Sequence, residues 1–139
     1  MPDLTDHGPQ PYVLDIEDAT INNTNFRSTL WTGSHLQLTV MSIPVGGDIG
    51  LEAHMDNDQF IRIESGHGRV EMGPTRDEVS FSAEVEDDWV VFVPAAQWHN
   101  IINTGDVDLK LYTLYGPPDH VHGTLHPTQH DAEIDPNEH

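Results

Sequence analysis

In the stretch Gly46-Gly-Asp-Ile-Gly-Leu-Glu-Ala-His-Met-Asp-Asn-Asp-Gln-Phe-Ile-Arg-Ile-Glu-Ser-Gly-His-Gly68, glycines bracket two short runs in which residues alternate with period two. On a strand, residues i and i+2 share a face. Glu52 and His54 therefore point the same way. In the next run Gln59 falls on the face of Ile61 and Ile63, which reads as the inner one. Arg62 is out of phase and is expected outside, paired with a surface acid. Three polar heads thus project inward from neighbouring strands.

A second stretch, Val93-Pro-Ala-Ala-Gln-Trp-His-Asn-Ile-Ile-Asn-Thr-Gly105, sets His99 on one face with Ile101 and Asn103, and Trp98 on the other. Outward from these, the chain breaks into similar runs at 12–17, 26–31, 35–43, 51–54, 59–64, 68–72, 79–84, 90–93, 99–103 and 109–115. Gly-, Pro- and Asp-bearing breaks separate them. No window keeps a helical period. So many short strands at close spacing predict an all-β sandwich or small barrel. Residues 1–11 read as a flexible leader, 12–116 as the barrel domain and 117–139 as an extension rich in His and acids.

The two stretches resemble the paired motifs of the cupin superfamily. Gly46, Glu52, His54, Gln59 and Gly66 meet the spacing of the first motif. Pro94, Ala96, His99 and Asn103 meet that of the second. The resemblance covers roughly residues 35–115 and implies a double-stranded β-helix, the cupin jelly-roll barrel, with one divalent metal inside. Glu52 stands where the family has its first histidine, Gln59 where it has a glutamate, and Ala96 where it has a turn glycine. The resemblance makes Glu52, His54, Gln59 and His99 the candidate metal ligands. Two imidazoles and a carboxylate suit Mn, Fe, Ni or Zn and do not choose among them. Glu52, where it is not committed to the ion, is also the candidate catalytic residue for moving protons.

Composition limits the partners. Of 139 residues, 24 are Asp or Glu and 5 are Lys or Arg, for a formal net charge of −19. Nucleic acid and anionic membranes call for a cationic patch, so neither is expected as a partner. There is no cysteine, which excludes disulfides and thiol chemistry. No apolar run approaches the roughly 18 residues of a membrane span, and the first six residues do not read as a signal peptide. The acidity reads as a halophile's cytoplasmic surface, since at molar salt the Debye length falls to about 3 Å.

Other polar residues have blander readings. Lys110 and Tyr112 share a face, but the phase that puts Leu109, Leu111 and Thr113 inside is preferred. Trp31 and Trp89 could line the cavity; Trp98 is expected outside or at a dimer interface. His67 sits in a solvated turn. Arg27, Arg69, Arg76 and Lys110 are the cations left to meet an anionic ligand. The tail is preferred as a solvated extension, with 131–139 disordered; the competing placement folds it over the barrel mouth and brings His120 or His126 toward the metal. The resemblance to the mannose-6-phosphate isomerase-like group implies an enzyme acting on a small polar metabolite, sugar- or hydroxy/keto-acid-like, by isomerase-type or oxygenase chemistry. A homodimer is the family expectation. The alternative is a non-catalytic cupin that binds or senses a small ligand.

Overall fold

A computed structural model describes residues 3–138. Its elements in chain order are α1 (Ile16–Ile21), β1 (Arg27–Thr32), β2 (Gln37–Ile43), β3 (Asp58–Ser65), β4 (His67–Gly73), β5 (Phe81–Glu86), β6 (Val90–Val93), β7 (Trp98–Asn103), β8 (Leu109–Gly116), β9 (Leu125–His126) and α2 (Gln129–Ile134), then a single 3-10 turn at Pro136–Glu138. One sheet runs β6-β3-β8-β2-β1-β9 and the other β5-β4-β7, with every named pair antiparallel. This is the jelly-roll barrel of the cupin fold.

Alternation fixes the inner faces. In β8, Leu109, Leu111, Thr113 and Tyr115 are buried while Lys110, Tyr112 and Leu114 are half-buried. In β3, Gln59, Ile61 and Ile63 turn inward. With Met41, Ile43, Val70, Val85, Val91, Val93 and Ile101 they form the core between the sheets. Arg62 lies outside, its Nη2 2.7 Å from Asp88 and its Nη1 against Glu64. Trp98 is half-buried with the Arg76 guanidinium 5.7 Å from its ring centre.

β2 is buried on both faces, because a second apolar layer covers the outside of the large sheet. Leu30, Leu38 and Val40 pack there against Leu4, Leu14, Ile16 and Ala19. The segment expected as a flexible leader is thus tied down at Leu4 and at Gly8, which is buried, and the His7 amide donates to the Leu30 carbonyl at 2.9 Å, while Pro9, Gln10 and Pro11 stay exposed. The run at 12–17 is no strand. Asp15 caps α1 by accepting from the Asp18 amide at 3.0 Å, and Glu17 and Asp18 place negative charge in its first turn, where the helix dipole favours it. Val13 meanwhile is 94% exposed.

The run at 51–54 also differs from expectation. It makes one isolated bridge, Glu52 to His99, preceded by another at Asp48 to Ile102. Gly46 and Gly50 hold φ of +78° and +92° here, which turns the chain out of a continuous ladder. Residues 131–138, expected disordered, contain most of α2 and the 3-10 turn. A capping box between Thr128 and Asp131 starts α2.

Candidate metal centre

The two motifs meet through their backbones. The Glu52 amide donates to the His99 carbonyl at 3.0 Å and the His99 amide returns a bond to Glu52 at 2.8 Å. The next anchor is the Ala96 amide, which donates to the His54 carbonyl at 2.8 Å. Ala96 adopts φ +69°, the left-handed conformation that the family's glycine would take without strain.

The side chains of Glu52, His54 and His99 converge so that one ligand atom of each lies within 4.8 Å of the others. Glu52 Oε1 is 3.3 Å from His54 Nε2 and 3.7 Å from His99 Nε2. Each imidazole has its far nitrogen held. His54 Nδ1 lies 3.1 Å from Asp119 Oδ1, and His99 Nδ1 lies 3.1 Å from the Gln97 carbonyl oxygen. Both Nε2 atoms are buried with no hydrogen-bond partner, and so is Gln59 Oε1. Gln59 stands opposite Tyr115 in the ladder, so the two share a face, and the Tyr115 ring meets His54 edge-on at 5.4 Å. A histidine whose one nitrogen is fixed by a carboxylate or carbonyl while the other is bare is the usual arrangement of a metal-ligating imidazole. Leaving three buried polar atoms unpaired is costly unless something occupies the centre. The residues present therefore fit a divalent ion.

To bind here an ion must displace a proton from His54. Burial works against a charged His54, but the Asp119 carboxylate on Nδ1 and the negative charge of Glu52 beside Nε2 outweigh it and push its pKa up to about 9. Burial lowers that of His99. The Glu52 carboxyl sits below its ordinary value: burial opposes this, and His54, Arg27 and His99 overcome it. Burial raises the Tyr115 hydroxyl, keeping it neutral.

Asp119 was not foreseen. Its segment is fixed by two buried amides. Gln37 Oε1 accepts from the Asp119 and His120 amides at 3.0 and 2.9 Å, and Gln37 Nε2 donates to the His120 carbonyl at 2.9 Å. Asn57 Nδ2 donates to the Pro117 carbonyl and, at 3.3 Å, to that of Pro118. The tail is thus folded over the barrel rather than solvated, which corrects the preferred sequence reading. Yet neither histidine named for this role reaches the centre. His120 Nδ1 turns to Glu138 at 2.9 Å, and His126 Nε2 to Asp135 at 2.9 Å.

Of the four spare cations, Arg27 alone lines the cleft beside Glu52. The cleft has a volume of about 300 Å³ and is also walled by Phe26, Ile49, Gly50 and Glu138. Arg69 pairs with Glu71, Arg76 covers Trp98, and Lys110 donates to the Asn23 carbonyl. A second group, His126, Asp135 and Glu138, also has ligating atoms close together. Arg27 Nη1 stands 3.5 Å from His126 Nδ1 and 3.7 Å from Glu138. That positive charge makes the group an ion-pair cluster rather than a second metal site.

A β-barrel with inward imidazoles and a carboxylate drawn from two motifs is the cupin arrangement. The cupin domain family model matches residues 39–115, and the chain belongs to that family. The uncharacterized protein YrkC of Bacillus subtilis is 53% identical over 129 residues, covering 93% of this chain and 69% of that protein. The crystal structure of BH2720 from Bacillus halodurans superposes with a TM-score of 0.93 at 54% identity, covering 94% of this chain and 99% of the other. A predicted oxalate decarboxylase from Thermotoga maritima is 21% identical, with a TM-score of 0.54 over 61% of this chain and 69% of its own, and shares the fold alone.

Proposed function

We propose that this protein is a metal-dependent cupin enzyme acting on a small polar metabolite, of sugar or hydroxy/keto-acid type. Glu52, His54 and His99 would hold one divalent ion, with Gln59 as a neutral fourth head. The observation that carries this reading is the set of bare, buried His54 Nε2, His99 Nε2 and Gln59 Oε1 atoms around Glu52. An ion bound there would polarise a carbonyl or hydroxyl oxygen of the ligand. Asp119 and the Gln97 carbonyl orient the two imidazoles. Glu52 is the one carboxylate that touches both, and it is the residue to move a proton in isomerase-type chemistry. Two imidazoles and one carboxylate equally suit an oxygen-using reaction. With Glu52 as its one anionic ligand, a divalent ion keeps positive charge of its own and favours an oxygen-rich or anionic substrate.

The same reading includes a homodimer, supported by the exposed Phe92, which packs on Phe60 outside the large sheet. It also includes a salt-rich cytoplasm, supported by the net charge of −19. Among the described residues no helix is long and apolar enough to cross a membrane.

The test is metal analysis of untagged protein, with His99→Ala and a surface control, His122→Ala/His130→Ala. About one ion per chain is expected in the parent and the control, and a strong loss in His99→Ala with the fold intact. Equal metal in His99→Ala would overturn the site. If the loaded protein binds sugars or keto acids saturably and converts none of them, it is a binding module.

A further inference from the structure

Arg27 is a buried cation at the edge of the His126, Asp135 and Glu138 cluster, within ion-pair range of Glu138 but short of a hydrogen bond to it. Its side chain is 4% exposed, and its Nε has no hydrogen-bond partner. The closest carboxylate, Glu138, stays at 3.7 Å from Nη1, longer than a hydrogen bond. His126 Nδ1, at 3.5 Å, is at the outer limit. A guanidinium presents five donors in a fork shaped for a carboxylate. To bury one without a close anion is expensive. Arg27 also lines the cleft that contains Glu52, so the guanidinium belongs to the space next to the candidate metal centre.

Glu138 lines that same cleft. The 3-10 turn Pro136–Glu138 carries its carboxylate into the mouth, where it takes bonds of 2.9 and 3.1 Å from His120 Nδ1. His120 Nε2 is itself buried and unpartnered. The carboxylate is therefore held by His120 and only loosely by Arg27.

We propose that Arg27, with His120, forms a carboxylate-binding subsite beside the metal centre, and that Glu138 occupies this subsite from within the chain until a ligand displaces it. The ligand class is a small 2-hydroxy- or 2-oxocarboxylate. Its carboxylate lies on the Arg27 fork, and its neighbouring oxygen reaches toward Glu52, His54 and His99. This rests on the proposed metal reading for the second contact, but the Arg27 contact needs no metal. An internal carboxylate competes with the external one, so its removal strengthens ligand binding instead of weakening it. A tail that served only to brace the fold would do the opposite.

The experiment is calorimetric titration with lactate, and with lactamide as the isosteric neutral control, on full-length protein with and without added Zn²⁺ or Mn²⁺. Lactate is expected to bind and lactamide to bind at least tenfold more weakly. Arg27→Gln should weaken lactate about tenfold or more, with Arg27→Lys recovering part of it, while metal affinity moves less than threefold. Glu138→Gln should tighten lactate several-fold. Equal binding of lactate and lactamide, or Glu138→Gln leaving lactate unchanged or weaker, overturns the proposal. The latter arm decides the matter even if Arg27→Gln does not fold. If no metal is taken up and lactate still binds through Arg27, the subsite stands and the metal reading falls. If metal binds and lactate ignores Arg27, the reverse holds.

Discussion

Replacing Asp119 by Asn should weaken the metal centre without disturbing the barrel. Asp119 Oδ1 sits 3.1 Å from His54 Nδ1, and its side chain is 22% exposed. The carboxylate fixes the imidazole's tautomer and orientation, and its charge makes the other nitrogen a better donor to a cation. Asn keeps the shape and one acceptor oxygen but removes the charge. Loss of such a partner ordinarily costs about 10–100-fold in metal affinity, which is about 1.4–2.7 kcal/mol. Partial exposure places this case toward the lower end. The tail should stay in place, because Gln37 holds it through the backbone amides of residues 119 and 120 and not through the Asp119 side chain. The assay is competition for Zn²⁺ or Mn²⁺ against a chelator of known affinity, with a melting curve on the same samples. A lower affinity at an unchanged Tm is expected. An affinity within about threefold of the parent would show that Asp119 does not tune the centre, and the orientation argument for His54 would fail with it.

Three further outcomes are expected. Ala96→Gly relieves the left-handed strain at φ +69° and should stabilise the fold by about 1 kcal/mol, seen as a higher denaturant midpoint at equal slope; no gain would place the strain elsewhere. The carboxyls of Asp6 and Glu138 lie below their ordinary values, burial being outweighed for Asp6 by bonds from Thr32, Gly123 and Gly8, and for Glu138 by His120. A lowered folded pKa gives stability that is present above the ordinary carboxylate range and is lost as pH falls through the folded pKa. Hydrogen exchange should therefore show the segment around residues 119–138 opening before the core as pH drops below about 4, and simultaneous opening would contradict this. Finally, the Tm should rise by several degrees between dilute buffer and molar KCl as the net charge of −19 is screened; a flat response removes the halophilic reading.

The barrel was legible because period-two alternation survives in β3, β7 and β8, where one face meets the core. The convergence of Glu52, His54 and His99 was legible because two motifs with fixed spacing bring distant segments into one barrel. Helix α1 was not, since six residues make fewer than two turns and leave no periodicity to read. Its signal was the Asp15 cap. Tyr115 was within reach, since it continues the inward phase of Leu109, Leu111 and Thr113. Asp119 carried no local signal at all. It is placed by Gln37 and Asn57, which lie about eighty and sixty residues away. Among ten histidines in an acidic chain, composition drew attention to His120 and His126 and away from the aspartate beside them.

The reciprocal backbone bonds between Glu52 and His99 separate scaffold from chemistry. Main-chain atoms set how far the Glu52 segment lies from β7, whatever side chains they bear. A mutation at residue 52 or 99 can thus exchange carboxylate for imidazole while the distance across the pocket stays put. Such a frame lets the ion preference change by one substitution at a time without first rebuilding the barrel.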